Sequence, residues 1–329
     1  MIDRRNFCLS ALAASSVASL ASFHGTALAG DYPDRAIKLI VGFPAGQSTD
    51  TSARRIAQSM SETLKQAVYV DNRPGAAGII SHEAVKNATA DGYTLLMGST
   101  GTLAINPWLY QKLPYDPLKD FEPVASVSAS PLVLFTAVDS PVNDLKQLIA
   151  LAKSLPGKVS YGSSGNGTTG HIAMEMLKKE AGIDLLHVPY KGSPPMITDV
   201  IGGQVNVAFD TAGAVLPMVK GRRIKLLGIA TLKRFEAAPE LPTLAEQGLA
   251  GFEAMPWSAI LAPKGTPGAV VQRLNAAVNT ALKDPAVLEQ FVSTGSYALG
   301  GSSAQFQSYL AQQHARWGKA VVASGARID

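Results

Sequence analysis

The chain has 329 residues, of which 47% are hydrophobic and 16% charged, and its formal net charge is +4. Its 30 glycines and 20 prolines stay below the level of low-complexity chains, and a single cysteine excludes a disulfide framework. These values predict one large or two ordinary globular domains and exclude a disordered chain or a coiled coil. Runs of Lys and Arg never exceed two residues, so the charge pattern does not favour a nucleic-acid partner.

Residues 1–29 are typical of a cleavable export signal. Arg4-Arg5 precedes an Ala/Ser/Leu-rich stretch, and Ala27-Leu28-Ala29 supplies a small-x-small cleavage motif. We expect cleavage near Ala29 and a mature protein in the periplasm. Arg4-Arg5 is equally consistent with the twin-arginine route and with a general secretory signal. Because the only cysteine, Cys8, lies inside this segment, the mature chain has no thiol.

After the signal, segments with strand and helix patterns alternate. The apolar run at 36–43 predicts a strand, and the helix after it has an apolar face formed by Ala53, Ile56, Met60 and Leu64. A helix over 75–87 and a strand over 93–98 continue the pattern, which predicts a parallel, doubly wound sheet. A similar unit begins near residue 132. The C-terminal third from Gly268 onward is predicted to be helical.

We therefore predict an α/β protein with two doubly wound lobes and a ligand cleft between them. The predicted boundaries are 30–130 for the first part of lobe 1, 131–252 for lobe 2 and 253–329 for a return segment of lobe 1 with C-terminal helices. Chain crossings between the lobes are expected near 124–131 and 252–259.

Two glycine-rich loops each follow a predicted strand and open a predicted helix. The first loop covers residues 43–50 and the second loop covers residues 161–170. Free N–H groups at a helix start, glycine backbone and Ser/Thr hydroxyls together suit an anion, and ligands of open α/β sheets bind at this edge. Neither loop contains Lys or Arg. The pattern predicts a carboxylate held between the loops, or equally two ordinary strand-to-helix turns with helix caps.

Two other motifs in the second loop suggest enzymes. Gly165-x-Gly167-x-x-Gly170 matches the dinucleotide pattern, with Asp184 fourteen residues further on. Export argues against this interpretation because free dinucleotides are cytosolic cofactors, and Asp184 fits a solvated turn. The run 162–166 misses the G-x-S-x-G nucleophile elbow because its last residue is Asn166.

The histidines of the mature chain are widely separated in sequence: His82, His171, His187 and His314. Their spacing shows neither a base beside Ser163 or Ser164 nor a helical zinc motif. The spacing therefore gives no support to a metal site, and we expect no metal and no cofactor.

Several motifs in the same order closely resemble the tripartite tricarboxylate transporter solute receptors, the Bug-type periplasmic binding proteins. The run 162–168, His171 and the run 187–192 (His-Val-Pro-Tyr-Lys-Gly) carry the resemblance. Supporting segments lie at 106–107, 113–116, 120–121, 202–205, 241–248, 257 and 263–267. One departure is Gln47, which replaces the second glycine of the family's P-x-G-G-x-x-D loop.

The resemblance implies a type II periplasmic-binding-protein fold. Such receptors close on small carboxylates, including di- and tricarboxylates, acidic amino acids and aromatic acids, and deliver them to a two-component membrane permease. They have no catalytic residues, and we expect a monomer. The alternatives are a periplasmic enzyme and a sensor-partner domain on the same two-lobed fold.

Carried over residue by residue, the resemblance implies a ligand-binding set at strand ends and in the two loops: Ala45, Gly46, Gln47, Ser48, Thr49, Asp50, Ser99, Thr100, Ser163, Ser164, Gly165, Asn166, Gly167, Thr168, Thr169, His171, Tyr190 and Asp210. Three members have a structural alternative. Asp50 serves the first turn of a helix in that alternative, Asp210 caps the next helix, and His171 packs against the following strand instead of donating to a carboxylate. Trp108 and Trp257 are expected to pack rather than to stack on a ligand.

Overall fold

The computed structural model describes residues 32–46, 48–236 and 238–328. The predicted export signal and Gln47 lie outside the described residues. The chain divides into two compact units, Met1–Asp34 and Arg35–Asp329, and the fold below is that of the second unit. None of the helices in the described part has the length and apolar character needed to cross a membrane.

The described chain alternates strands and helices over most of its length. The strands are β1 (Ile37–Val41), β2 (Val68–Asn72), β3 (Thr94–Ser99), β4 (Phe121–Ala129), β5 (Leu132–Ala137), β6 (Ser160–Ser163), β7 (Leu186–Pro189), β8 (Val207–Thr211), β9 (Ile224–Ile229), β10 (Trp257–Pro263) and β11 (Tyr297–Gly300). The α-helices are α1 (Ser48–Leu64), α2 (Ile79–Lys86), α3 (Asn106–Leu109), α4 (Leu145–Ser154), α5 (Thr169–Ala181), α6 (Ser193–Ile201), α7 (Ala212–Lys220), α8 (Gly268–Ala281), α9 (Pro285–Ser293) and α10 (Ser303–Ser324).

The strands form two sheets, and each sheet is the centre of one lobe. The first has the order β11-β4-β10-β3-β1-β2 and the second the order β7-β6-β8-β5-β9. Strands β2, β1 and β3 are parallel, as are β7, β6 and β8. The two-lobed α/β fold is therefore confirmed.

The sheets are mixed rather than wholly parallel. In the first lobe β10 pairs antiparallel with β3 and β4, and β11 pairs antiparallel with β4. In the second lobe β5 is antiparallel to β8 and β9. These strands are added from distant parts of the chain, so no local β-α-β unit fixes their direction.

Two chain segments run side by side between the sheets. The chain leaves the first sheet between β4 and β5 and returns just before β10. Ser130 N–H donates to the Pro256 carbonyl at 2.8 Å, and Leu132 N–H donates to the Ala254 carbonyl at 3.3 Å. The predicted lobe boundaries stay a prediction.

The helices follow the apolar periodicity of the sequence. The predicted apolar face of α1 is confirmed, since Ala53, Ile56, Met60 and Leu64 are all buried. α5 ends at Gly182, whose φ of 61° suits a left-handed C-cap. The predicted helix over 75–87 begins only at α2, because Gly75 and Gly78 hold positive φ values of 133° and 89°.

The prediction of an all-helical C-terminal third is wrong at one element. Between α9 and α10 the chain forms β11, which pairs with the edge of β4 through Tyr297, Ala298 and Gly300. A strand of four residues is too short to show an alternating pattern. A capping box between Ser302 and Gln305 then starts α10.

One apolar core joins the two lobes. Buried Leu96 of the first sheet, Phe209 of the second sheet and Trp317 of α10 belong to the same cluster. α10 contacts both α3 and α5. The two lobes are thus connected by packing as well as by the two chain segments.

Candidate functional site

The predicted ligand residues lie at the carboxyl ends of the parallel strands. The first loop follows β1, and Ser99-Thr100 ends β3, while the second loop, Tyr190 and Asp210 belong to the ends of β6, β7 and β8. One contact joins these edges across the lobes: a Cβ atom on Gly167 would collide with Leu109 Cδ2 of α3. A ligand cleft between these edges, where ligands of open α/β sheets bind, stays a prediction.

Asp50 organises the first loop from inside. Its carboxylate is 2% exposed, and Oδ2 accepts hydrogen bonds from Gly46 N–H at 2.8 Å and Arg54 Nε at 3.0 Å. Oδ1 accepts from Asn72 Nδ2 at 2.8 Å, and the same amide donates to the Phe43 carbonyl at 3.0 Å. Burial raises the pKa of Asp50, but the hydrogen bonds from Arg54, Gly46 and Asn72 outweigh it and lower the pKa below its ordinary value. Asp50 is thus an ionised residue that shapes the loop.

Three other members of the first loop are more exposed to solvent than Asp50. Ala45 and Gly46 are exposed and Thr49 is half-buried. Gly46 has a φ of 85°, which turns the backbone in a way that glycine permits. Gln47 lies outside the described residues, so its predicted effect on the ligand stays a prediction, as does the role of Ser48.

Ser99 and Thr100 form hydrogen bonds inside the first lobe. Thr100 is 1% exposed; its hydroxyl accepts from Trp257 N–H at 2.7 Å and donates to the Trp257 carbonyl at 3.2 Å. Ser99 N–H donates to the Thr102 hydroxyl at 3.0 Å. These bonds connect the end of β3 to the returning strand β10. Trp257 itself is 3% exposed, in agreement with the expected packing role.

A histidine lies beside Ser163 in the second loop, although the spacing of the histidines in the sequence predicted none there. Ser163 Oγ lies 2.7 Å from His187 Nε2 and donates to the Gly165 carbonyl at 3.1 Å. Strands β6 and β7 are parallel neighbours in which Tyr161 pairs with His187. Ser163 follows Tyr161 by two residues, so the side chains of Ser163 and His187 lie on the same face of the sheet. The separation of 24 residues concealed this proximity.

The Ser163–His187 pair does not have the geometry of a nucleophile with its base. Ser163 is 0% exposed, and its hydroxyl is engaged within the loop. Among the described residues, no carboxylate forms a hydrogen bond with His187; instead its ring stacks on Tyr161 at 4.7 Å and on His171 at 4.1 Å. A triad needs an exposed hydroxyl and an orienting acid. The pair is therefore a structural support of the loop.

His171 also supports the second loop. Gly167 N–H donates to His171 Nδ1 at 3.0 Å, so this nitrogen accepts a hydrogen bond and is not a donor to a ligand. Burial lowers the pKa of His171, and burial together with the adjacent His171 lowers the pKa of His187 to about 4. Both rings are neutral at pH 7.

The remaining second-loop groups are available to a ligand. The hydroxyls of Ser164 and Thr169 make no hydrogen bond to the part of the chain that the structure describes, and Asn166 is exposed. Thr168 differs, because its hydroxyl donates to the Gly165 carbonyl at 2.8 Å. The N–H groups in the first turn of α5 precede its first intrahelical bond, from Ile172 to Thr168. They form a donor set suited to an anion.

Tyr190 and Asp210, at the ends of later strands, differ in how completely their side chains are hydrogen-bonded. The Tyr190 hydroxyl donates to Asp199 Oδ2 at 2.7 Å. Asp210 is 8% exposed and its Oδ1 accepts from Thr211 N–H at 2.7 Å. Its Oδ2 is buried without a hydrogen-bond partner in the described chain. Burial raises the pKa of Asp210, although the hydroxyls of Ser193 and Thr211 oppose the shift.

Sequence reasoning missed three residues that shape these loops: Asn72, Leu109 and His187. His187 lies inside the matched run 187–192, so the motif itself was the available signal. Asn72 and Leu109 carry no signal in the sequence, because each acts through a contact with a loop far away in the chain. In the described ranges, no group of three or more His, Cys, Asp or Glu side chains lies close enough to hold a metal ion.

Comparisons with known proteins identify the family of the chain. The family model described as "Tripartite tricarboxylate transporter family receptor" matches residues 52–325. The UPF0065 protein in the tcbD-tcbE intergenic region of Pseudomonas sp. (strain P51) is 40% identical over 292 residues, covering 88% of this chain and 87% of the relative.

Solved structures match the same length of chain. The structure of R. palustris Rpa4515 with adipate has a TM-score of 0.81 and 36% identity, covering 91% of this chain and 100% of that chain. MatC from Rhodopseudomonas palustris with bound malate has a TM-score of 0.76 and 30% identity, covering 88% of this chain and 100% of that chain. The chain is a member of the tripartite tricarboxylate transporter receptor family.

Proposed function

We propose that the chain is an exported periplasmic receptor that captures a small carboxylate and delivers it to a two-component membrane permease. The single observation that carries the proposal is the second loop, where the first turn of α5 and the free hydroxyls of Ser164 and Thr169 form a cluster of uncharged donors. Two similar structures bind adipate and malate, which are both small carboxylates.

The donors explain how a carboxylate is held without a countercharge. A buried carboxylate is costly unless several donors reach its oxygens. The second loop supplies donors from one lobe, and the Thr49 hydroxyl of the first loop supplies a donor from the other, whereas the Gly46 N–H is already bonded to Asp50. A ligand that bridges both loops stabilises the closed arrangement by its higher affinity for that state.

The buried Ser163 and its satisfied hydroxyl support a receptor without catalysis. We propose that the receptor works without a bound cofactor. We propose that the receptor acts as a monomer after cleavage near Ala29, and that residues 30–130 with 253–329 form one lobe and 131–252 the other.

A thermal-shift screen of residues 30–329 tests the function. Ligand-free protein, refolded after denaturation, is screened against mono-, di- and tricarboxylates, acidic amino acids and aromatic acids. A ligand at about 100 times its Kd adds about 2.7 kcal/mol of stability when it binds only the folded state. Each kcal/mol of added stability raises the Tm by about 2–4 °C. A flat response to every class would contradict the carboxylate receptor.

A pair of loop variants tests the position of the ligand. Ser164→Ala with Thr169→Ala removes both free hydroxyls without deleting a described side-chain hydrogen bond. We expect the affinity for the best ligand of the screen to fall by about tenfold or more, the equivalent of two net hydrogen bonds. Thr280→Ala on α8 is the control and should leave the affinity unchanged. A loss below about twofold would remove the second loop from the site.

A further inference from the structure

The second loop is held at both ends by a pair of stacked imidazoles. His187 contacts Ser163 at the start of the loop, and His171 accepts the N–H of Gly167 near its end. The rings lie 4.1 Å apart and are inclined by only 10°. Neither histidine is needed to neutralise a ligand, yet together they fix the backbone between the two loop ends.

The hydrogen bonds define which nitrogen carries the proton. Because Gly167 N–H is a donor, His171 Nδ1 must present its lone pair, so the neutral ring carries its proton on Nε2. Protonation of His171 would add a hydrogen to Nδ1 that faces Gly167 N–H. Donor would then face donor, and the bond that holds the loop would be lost.

We propose that His171 and His187 are positioning residues that keep the second loop in its ligand-binding conformation only while His171 is neutral, so that affinity for a carboxylate falls on acidification. This inference rests on the proposed function, since it concerns the same loop. His187 acts through the stack: it covers one face of His171 with an apolar ring surface, and its hydrogen bond with Ser163 fixes its own position.

The charged and titratable groups around the pair support this behaviour. Tyr161 of β6 stacks on His187, and its hydroxyl donates to Glu175 Oε1. Glu175 of α5 favours protonation of both rings and Lys178 of α5 opposes it. Lys178 Nζ lies 2.9 Å from Glu175 Oε1, which offsets much of the effect of that carboxylate. Burial therefore dominates, and the pKa of each imidazole lies below its ordinary value.

The test compares the pH profile of binding in three proteins. Affinities for adipate and malate are measured from pH 7.0 to 4.0 in the wild type, in His171→Gln and in the control His314→Gln. The glutamine amide introduced by His171→Gln is meant to accept from Gly167 N–H without titrating. Dividing the wild-type affinity by the His171→Gln affinity cancels titration of the ligand's own carboxyls. We expect this ratio to fall by about fivefold, the equivalent of one net hydrogen bond, with no change in the ratio to His314→Gln.

A second readout needs no ligand. In the wild type the Gly167 amide resonance should move with the titration of the His171 ring, and in His171→Gln it should stay fixed over the same pH range. His187→Phe, which retains a ring in the stack, tests the stacking partner, and its loop should be less protected from amide exchange.

The outcomes separate the two proposals. If neither adipate nor malate binds at any pH, the proposed function loses its support, while the Gly167 resonance still tests the loop. A constant affinity ratio, an affinity that rises on acidification, or a Gly167 resonance that does not follow His171 would overturn the inference, even in a working carboxylate receptor.

Discussion

Leu109 of α3 and Gly167 of the second loop meet across the two lobes, with no space for a side chain on the glycine. Leu109 is 3% exposed, and Gly167 has a φ of 75°. The loop that carries the free donors therefore packs against the opposite lobe through this contact. Its position depends on both lobes at once.

Gly167→Ala should weaken this arrangement by more than a glycine substitution elsewhere. Positive φ alone costs a non-glycine residue about 1 kcal/mol, and the clash with Leu109 adds to it. Gly182→Ala is the matched control, since Gly182 has a φ of 61° and nothing lies within 4 Å of an added Cβ. We expect denaturant unfolding to show a loss of about 1 kcal/mol for the control and at least twice that loss for Gly167→Ala.

A double mutant identifies the contact as the cause. Leu109→Ala alone should cost about 2–5 kcal/mol through loss of buried packing. Combined with Gly167→Ala it should cost less than the sum of the single effects, because the second change then meets an open space. Strictly additive losses would show that Leu109 and Gly167 do not constrain each other.

Asp50→Ala should destabilise the protein and disorder the first loop. Three donors, from Gly46, Arg54 and Asn72, lose their acceptor, and buried donors without partners cost about 1–3 kcal/mol each. We expect a total near 3 kcal/mol, as part of the loop can turn to water. Asp71→Asn, which breaks the exposed pair with Arg73 at 3.0 Å, is the control and should cost below about 1 kcal/mol. Equal losses in chemical denaturation would refute the organising role of Asp50.

Thr100→Val should cost stability without a specific loss of ligand affinity. The variant keeps the shape of the side chain but leaves the N–H and carbonyl of Trp257 without their shared partner. We expect a loss of about 1–3 kcal/mol, whereas the exposed Thr280→Val should stay within about 0.5 kcal/mol. An affinity for the carboxylate that falls tenfold with unchanged stability would instead place the Thr100 hydroxyl on the ligand.

Acid should destabilise the first lobe through His82. This ring is 1% exposed, Nδ1 lies 2.9 Å from the Gly78 carbonyl, and Nε2 has no partner among the described residues. Burial lowers the pKa of His82 to about 4, against 6.5 in an unfolded chain. The unfolded state therefore binds the proton first as the pH falls through 6.5. Stability is complete above that pH and decreases by about 3 kcal/mol as the pH falls to about 4.

His82→Phe checks this assignment, because it retains a ring beside Tyr115, which stacks on His82 at 4.6 Å. The variant should have a flatter dependence of the unfolding free energy on pH between 6.5 and 4. An unchanged slope would show that the other histidines, and not His82, cause the loss of stability in acid.

The sequence predicted local elements well where their cause is local. The apolar face of α1 followed from residues spaced three and four apart, and all four are buried. The antiparallel strands β4 and β10 did not follow, because each is specified by partners more than a hundred residues away, such as Trp257 beside Ala129. β11 was missed for the same reason, since only the edge of β4 makes it a strand.

The candidate site, too, could be predicted from the sequence only where its cause is local. Both loops were found because glycine, hydroxyl residues and a helix start lie together in the chain. Their supports were not found: Asn72 reaches Asp50 and His187 reaches Ser163 through neighbouring strands. Residue types could not show that Thr100 and Ser163 are buried and engaged while Ser164 and Thr169 remain free. Only the packing separates hydroxyls that hold the loop from those that have no partner in the described chain.

The most direct test of the account is a crystal structure of residues 30–329 with the carboxylate that gives the largest thermal shift. The account predicts the ligand between the lobes, with its oxygens within hydrogen-bonding distance of the Ser164 and Thr169 hydroxyls and of the first turn of α5, and with the first loop closing the opposite side. A carboxylate found instead in the surface groove of about 550 Å³ lined by Trp108, His314 and Val322, with the space between the loops filled by water, would contradict it.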